Sequence, residues 1–239
     1  MIYSRIIREY VTICYWRECL GLTDFILFMV FSVLETCAMF YLMFRMFKID
    51  LMFKEMLFAS IIMAFVSYTL RAVYEIPVLD VPLQLILMLA FVWMLFRVHL
   101  FYATIMTGMV YQAYFLIQTV FYYLLNILGE FNNSLPVVTN ISTYLLQFIS
   151  VISACLIGLF VSRKRKGFDF VPDKPKGRLF LKKKDWVLLA LSIPSFSVVS
   201  FTIFLVEQFN EIFFVVDGFY AVILYSYLFM SYKRDRSDL

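Results

Sequence analysis

The sequence predicts an all-α fold: a polytopic bundle of about seven transmembrane helices, with the N-terminus outside and the C-terminus inside. Three observations predict it. Of the 239 residues, 63% are apolar and only 16% charged, against ~45–50% and ~25% in soluble globular chains. The apolar residues fall in long blocks, and about 20 such residues in a helix cross a hydrocarbon core ~30 Å thick. Lys and Arg are unevenly spread, with ten of the 21 between Arg163 and Lys184. High hydrophobicity with low charge excludes a disordered chain. Too few polar residues remain to coat a soluble core. The chain, 1–239, therefore reads as one integral membrane domain.

Residues 1–24 come first, and Ile2, Ile6, Ile7, Tyr10, Val11 and Cys14 recur there at helical spacing. This segment reads as an N-terminal extension or as an amphipathic helix lying in the interface. It lacks the short apolar core and small-residue site of a cleavable signal. The first span is predicted from Phe25 to Phe44 and the second from Met56 to Tyr74. The third, Val81 to Phe96, is short. The fourth, Leu100 to Leu128, is long enough to tilt or project. The fifth runs from Val137 to Val161, the sixth from Trp186 to Val206 and the seventh from Ile212 to Tyr232. Pro194 lies in the sixth among Ser192, Ser195, Ser197 and Ser200. Pro removes a backbone hydrogen bond that Ser hydroxyls re-satisfy, so a kink is expected there.

Orientation follows from the basic residues, because cytoplasmic flanks carry the excess. With the basic loop 163–185 in the cytoplasm, 17 of the 21 Lys and Arg fall inside. Arg5, Arg8, Arg17 and Arg71 fall outside. The outer loops carry Glu75, Asp80, Glu130, Glu207 and Glu211, a face that would attract a cation or cationic peptide. The basic loop suits anionic inner-leaflet lipid. No nucleic-acid-binding module accompanies it, so nucleic acid is not expected as a partner.

Glu35 stands in the middle of the first span, within Phe-Ser-Val-Leu-Glu-Thr-Cys-Ala. An ionisable group at that depth costs roughly 2.5–3.5 kcal/mol and faces the bundle interior. Arg71, near the outer end of the second span, is its expected partner. Gln112, Gln118, Tyr122 and Asn126 lie in the fourth span, the last three on one face. They either hold helices together or line an outward pocket. Asp217 lies early in the seventh span. Ser150, Ala154 and Gly158, with Ser162, repeat every four residues along the fifth span. Small residues at that spacing let helices approach closely, within the chain or between copies. Four Cys and one His, His99, form no metal-ligand cluster. No nucleotide-binding or nucleophile motif is present. No metal, cofactor or enzymatic activity is expected.

Three stretches carry a resemblance: Phe31–Phe44 with its Glu, Ser67–Ala72 (Ser-Tyr-Thr-Leu-Arg-Ala), and Leu87–Tyr102, ending Phe-Arg-Val-His-Leu-Phe-Tyr. Together they resemble the membrane-sensor regions of Gram-positive peptide-pheromone histidine kinases. They are equally similar to stand-alone membrane proteins of spore-forming Gram-positive bacteria. The chain ends seven residues past Tyr232, without the phosphoacceptor helix or ATP-binding domain of those kinases. The resemblance therefore implies a sensor module of the cell membrane that signals through a protein partner, a kinase or another membrane protein. The alternative is a small transporter or a substrate-binding transporter subunit, with Glu35, Arg71, Gln112, Gln118 and Asp217 lining its site. Against that alternative, the sequence shows no inverted repeat and no Gly/Pro-broken helix pair.

Overall fold

The computed structural model describes residues 2–74, 76–128, 141–164, 167–168, 171 and 213–235. Among them every regular element is helical. Helix α1 spans Ile2–Met46, α2 Phe53–Tyr68, α3 Pro77–Met94, α4 Leu100–Ile127, α5 Ile141–Arg163 and α6 Phe213–Asp235. Side chains of α1 are described from Leu22 on.

Among the described residues, four stretches are long and apolar enough to cross a membrane: Leu22–Met46, Phe53–Val73, Leu100–Ile127 and Ile141–Arg163. Leu79–Met94 and Ala221–Tyr232 are shorter apolar helices. This is a helical membrane protein. The sixth predicted span, with Pro194, lies outside the described residues. So do residues 137–140 of the fifth and most of the basic loop. Helix α1 runs from the N-terminal extension into the first predicted span, with Gly21 inside it.

Lipid shapes the helix faces. Phe53, Leu57, Ile61 and Phe65 form an exposed stripe along α2, and Ile141, Leu145, Phe148, Ile152 and Leu156 one along α5. The buried face of α5 is instead Thr143, Leu146, Ser150, Ala154 and Gly158. Large apolar residues outside and small or polar ones inside reverse the pattern of a soluble amphipathic helix. In lipid the hydrophobic effect no longer drives helices together, so close packing and internal hydrogen bonds must. Serine and threonine hydroxyls meet that constraint locally: Thr36, Thr104, Ser153 and Ser226 each donate to the carbonyl four residues back.

Side-chain pairs fix the helix directions. Cys37 donates to Ser60 at 3.2 Å and Phe28 packs edge-on against Tyr68, so α2 runs antiparallel to α1. Gln84 reaches the Met63 carbonyl and Asp80 meets Ser67, so α3 runs antiparallel to α2. Phe31 stacks on Tyr144 at 4.9 Å, and farther along α1 Tyr41 lies against Gly158. Helices α1 and α5 are therefore parallel and adjacent.

The core is asymmetric. Between Ala38 and Phe47, α1 buries Phe40, Leu42, Met43 and Phe44 almost completely. They pack with Met63 of α2, Met88 and Val92 of α3, Ile105, Met106 and Met109 of α4, and Tyr227 of α6. Eight buried methionines join this cluster, and their flexible thioethers fill the gaps between Phe rings. Toward the other end, from Leu22 to Leu34, only Phe28 of α1 is buried.

A side chain at Gly158 has no room, because a Cβ there would stand 2.9 Å from the Tyr41 ring. Gly158→Leu is expected to lower stability by about 1–3 kcal/mol through overpacking. Leu156→Ala, on the lipid-exposed face, should change it by less than ~0.5 kcal/mol. Unfolding midpoints in detergent compare the two.

Candidate functional site

Two polar clusters occupy the more open half of the bundle. The first is built on Glu35. Its position on α1 turns the carboxylate toward α4 and α5, where two carboxamides meet it. Gln118 of α4 donates through Nε2 to Oε1 at 2.5 Å. Gln147 of α5 donates through Nε2 to Oε2 at 2.9 Å. Each carboxylate oxygen thus receives one N–H from a different helix. The Tyr114 hydroxyl lies close by but is buried without a hydrogen bond of sound geometry, and so is Gln147 Oε1. Glu35 is half-buried. The cluster retains acceptor capacity on Glu35 and Gln147, and a phenol that can donate or accept.

The second cluster closes the α2–α3 end. The last turn of α2 loosens into a π-helical turn, Thr69–Val73. Arg71 lies within it. Its Nε meets Asp80 Oδ2 at 2.5 Å. Ser67 donates to the same oxygen at 2.9 Å, and Gln84 to Oδ1 at 3.3 Å. Asp80 is 1% exposed. It sits in the first turn of α3, next to Pro77 at the helix start, where the positive end of the helix dipole favours a carboxylate.

This arrangement corrects two expectations. Arg71 pairs with Asp80, not with Glu35. The antiparallel register puts Arg71 level with residue 25 or 26 of α1, which leaves Glu35 about nine residues or ~14 Å away along the axis. Arg71 therefore acts on the Glu35 carboxylate through space, as a nearby positive charge and not as a contacting partner. Asp80, expected on a solvated acidic face, is instead buried in this ion pair. The helix starts four residues before the apolar run that marked it, and so draws Asp80 inside.

The other predicted residues are dispersed. Gln112 is fully buried on α4, with no hydrogen bond at either amide atom. It lies six residues before Gln118 and so on a different face. Tyr122 packs with Leu125 and Leu146. Asn126 is half-buried two turns beyond Gln118. Asp217 belongs to α6, but its side chain is outside the described set, as are Glu75, Glu130, Glu207 and Glu211. Ser150, Ala154 and Gly158 are buried in the bundle, with Gly158 directly against α1. The sequence reading missed Gln147 and Gln84. Gln147 shares the small-residue face of α5, three residues before Ser150, and that spacing was the available signal.

Chemically the Glu35 cluster brings together a carboxylate, two carboxamides and a phenol, groups that accept and donate hydrogen bonds. Among the described residues no group of three or more His, Cys, Asp and Glu could hold a metal ion. His99 acts locally, where its Nδ1 accepts from the Phe101 N–H and caps α4.

Removing one partner of a buried ion pair strands the other. Asp80→Ala is expected to cost about 3 kcal/mol, and the double variant Asp80→Ala/Arg71→Met to recover part of it. A double-mutant cycle on unfolding midpoints reads the coupling. No protein-family model, curated protein or solved structure matches this chain.

Proposed function

We propose that this chain is a receptor-like or regulatory protein of the cell membrane. In this reading it crosses the bilayer seven times, with the N-terminus outside and the C-terminus inside, and acts through a protein partner such as a kinase or another membrane protein. The supporting observation is the place of the Glu35 cluster. It lies where the more exposed half of α1 gives way to the packed half, and it holds the unpartnered Gln147 Oε1 beside the Tyr114 phenol. Below it, Phe40, Met43, Phe44, Met106 and Met109 are fully buried and leave little room for a solute to continue. A partly buried polar cluster set above a repackable Met–Phe core suits signalling by helix adjustment better than passage. The Glu35 carboxylate suits a ligand with a cationic or donor-rich group, such as a peptide ammonium.

Orientation rests on the charge distribution. The alternating directions of α1, α2 and α3 are compatible with α3 as a crossing, since its 18 residues span ~27 Å.

Affinity purification in mild detergent is expected to return a stoichiometric protein partner; a chain recovered alone overturns this reading. Cysteine placed at position 174 should resist membrane-impermeant reagents in intact cells, and labelling there inverts the topology. In vesicles the purified protein should show no Glu35-dependent solute uptake. Uptake lost in Glu35→Gln would replace the receptor with a transporter.

A further inference from the structure

At the far end of the bundle from the polar clusters, α1 and α5 finish side by side around a cleft of about 390 Å³. That is within the size range of small-ligand sites. Arg45, Lys48 and Asp50 border it from the end of α1 and the loop that follows, and Ser162 and Gly167 from the end of α5 and beyond. We propose that this cleft binds a phosphate anion, either the headgroup of a membrane lipid or free phosphate.

Three features carry the proposal. The first is Arg45. Its guanidinium lies over the Tyr41 ring at 5.3 Å, while its buried Nε has no hydrogen-bond partner. A planar fork with five donors is suited to phosphate oxygens. The second is the backbone. Three of the last four α1 carbonyls, which could otherwise receive a cation, are already taken. Met43 accepts from the Phe47 N–H, Phe44 from Ile49 and Met46 from Phe168 at 2.7 Å. Asp50 contributes one negative charge against the two bases. Gly167 allows this closure, because a Cβ there would come within 2.8 Å of the Met46 carbonyl oxygen.

The third is Lys48 itself. It occupies the left-handed position that ends α1, at φ 51°. The Ile49-to-Phe44 bond marks the helix end that normally takes glycine. A lysine there is less stable than glycine would be. It lines the cleft, so the backbone cost falls at the rim of the proposed site. Strain of this kind gathers at binding sites.

Thermal unfolding of the detergent-solubilised chain tests this with three probes: phosphatidylglycerol, diacylglycerol with the same acyl chains, and inorganic phosphate. The wild-type midpoint should rise with phosphatidylglycerol or with inorganic phosphate, and not with diacylglycerol. A response to the lipid alone assigns the anion to a headgroup; a response to inorganic phosphate assigns it to solution. Arg45→Gln should shrink the shift at least fivefold. Lys48→Gly should shrink it too, while its unliganded midpoint equals or exceeds that of wild type. Lys54→Gln, exposed at the start of α2 and outside the cleft, should keep the full shift. The proposal is overturned by no shift with either anion, by an equal shift with diacylglycerol, or by full shifts in both cleft variants. A Lys54→Gln loss as large as that of Arg45→Gln, or a lowered unliganded midpoint in Lys48→Gly, overturns it as well.

Discussion

Hydrocarbon offers no hydrogen bonds, so every polar group carried into it must find a partner inside the protein. The Glu35 carboxylate is where this constraint acts most strongly. Its two oxygens are met by Gln118 and Gln147, which ties α1 to α4 and α5 at one level. The parallel contact of α1 with α5 places the small face of α5 where large side chains would not fit. That contact brings Tyr41 over Gly158 and carries the ends of both helices to the same cleft. The polar tie and the small-residue seam are thus two parts of one interface.

The two polar clusters solve the same problem differently. Asp80 and Arg71 neutralise each other near a helix end, aided by the first turn of α3 and by a π-turn that frees backbone geometry around Arg71. Glu35 has carboxamides instead of a contacting cation. An ion pair supported by Ser67 and Gln84 is largely complete. The Glu35 cluster is not, since it keeps the buried Gln147 carbonyl oxygen without a partner beside the Tyr114 phenol. Incompleteness of that sort is costly in a static core.

Much of the helical architecture was legible because lipid imposes one dominant period and length. Apolar blocks located all five helices from the first through the fifth span, as well as α6. Glu35 announced itself by being charged among Phe, Val and Leu. Its partners were not legible, because contacts between α1 and α4 or α5 depend on rotations and offsets that no local pattern encodes. Arg71 attracted attention through its charge, yet its contact is with Asp80 and it reaches Glu35 only through space. Gln147 was overlooked because a neutral carboxamide gives a weaker signal than a charge. Asp80 was misassigned because the apolar run begins at Val81, whereas the helix begins at Pro77. The Lys48 turn could not have been anticipated, since helix ends of this type normally advertise themselves with glycine.

The wide sequence separation of the Glu35 bonds has a consequence for biogenesis. Its donors lie 83 and 112 residues downstream. At ~5–20 residues per second of synthesis, the last of them emerges roughly 6–22 s after Glu35. During that interval the nascent first helix carries its acid without either amide. The apolar surroundings of that helix, or the insertion machinery, must shelter the acid until the later hairpin arrives.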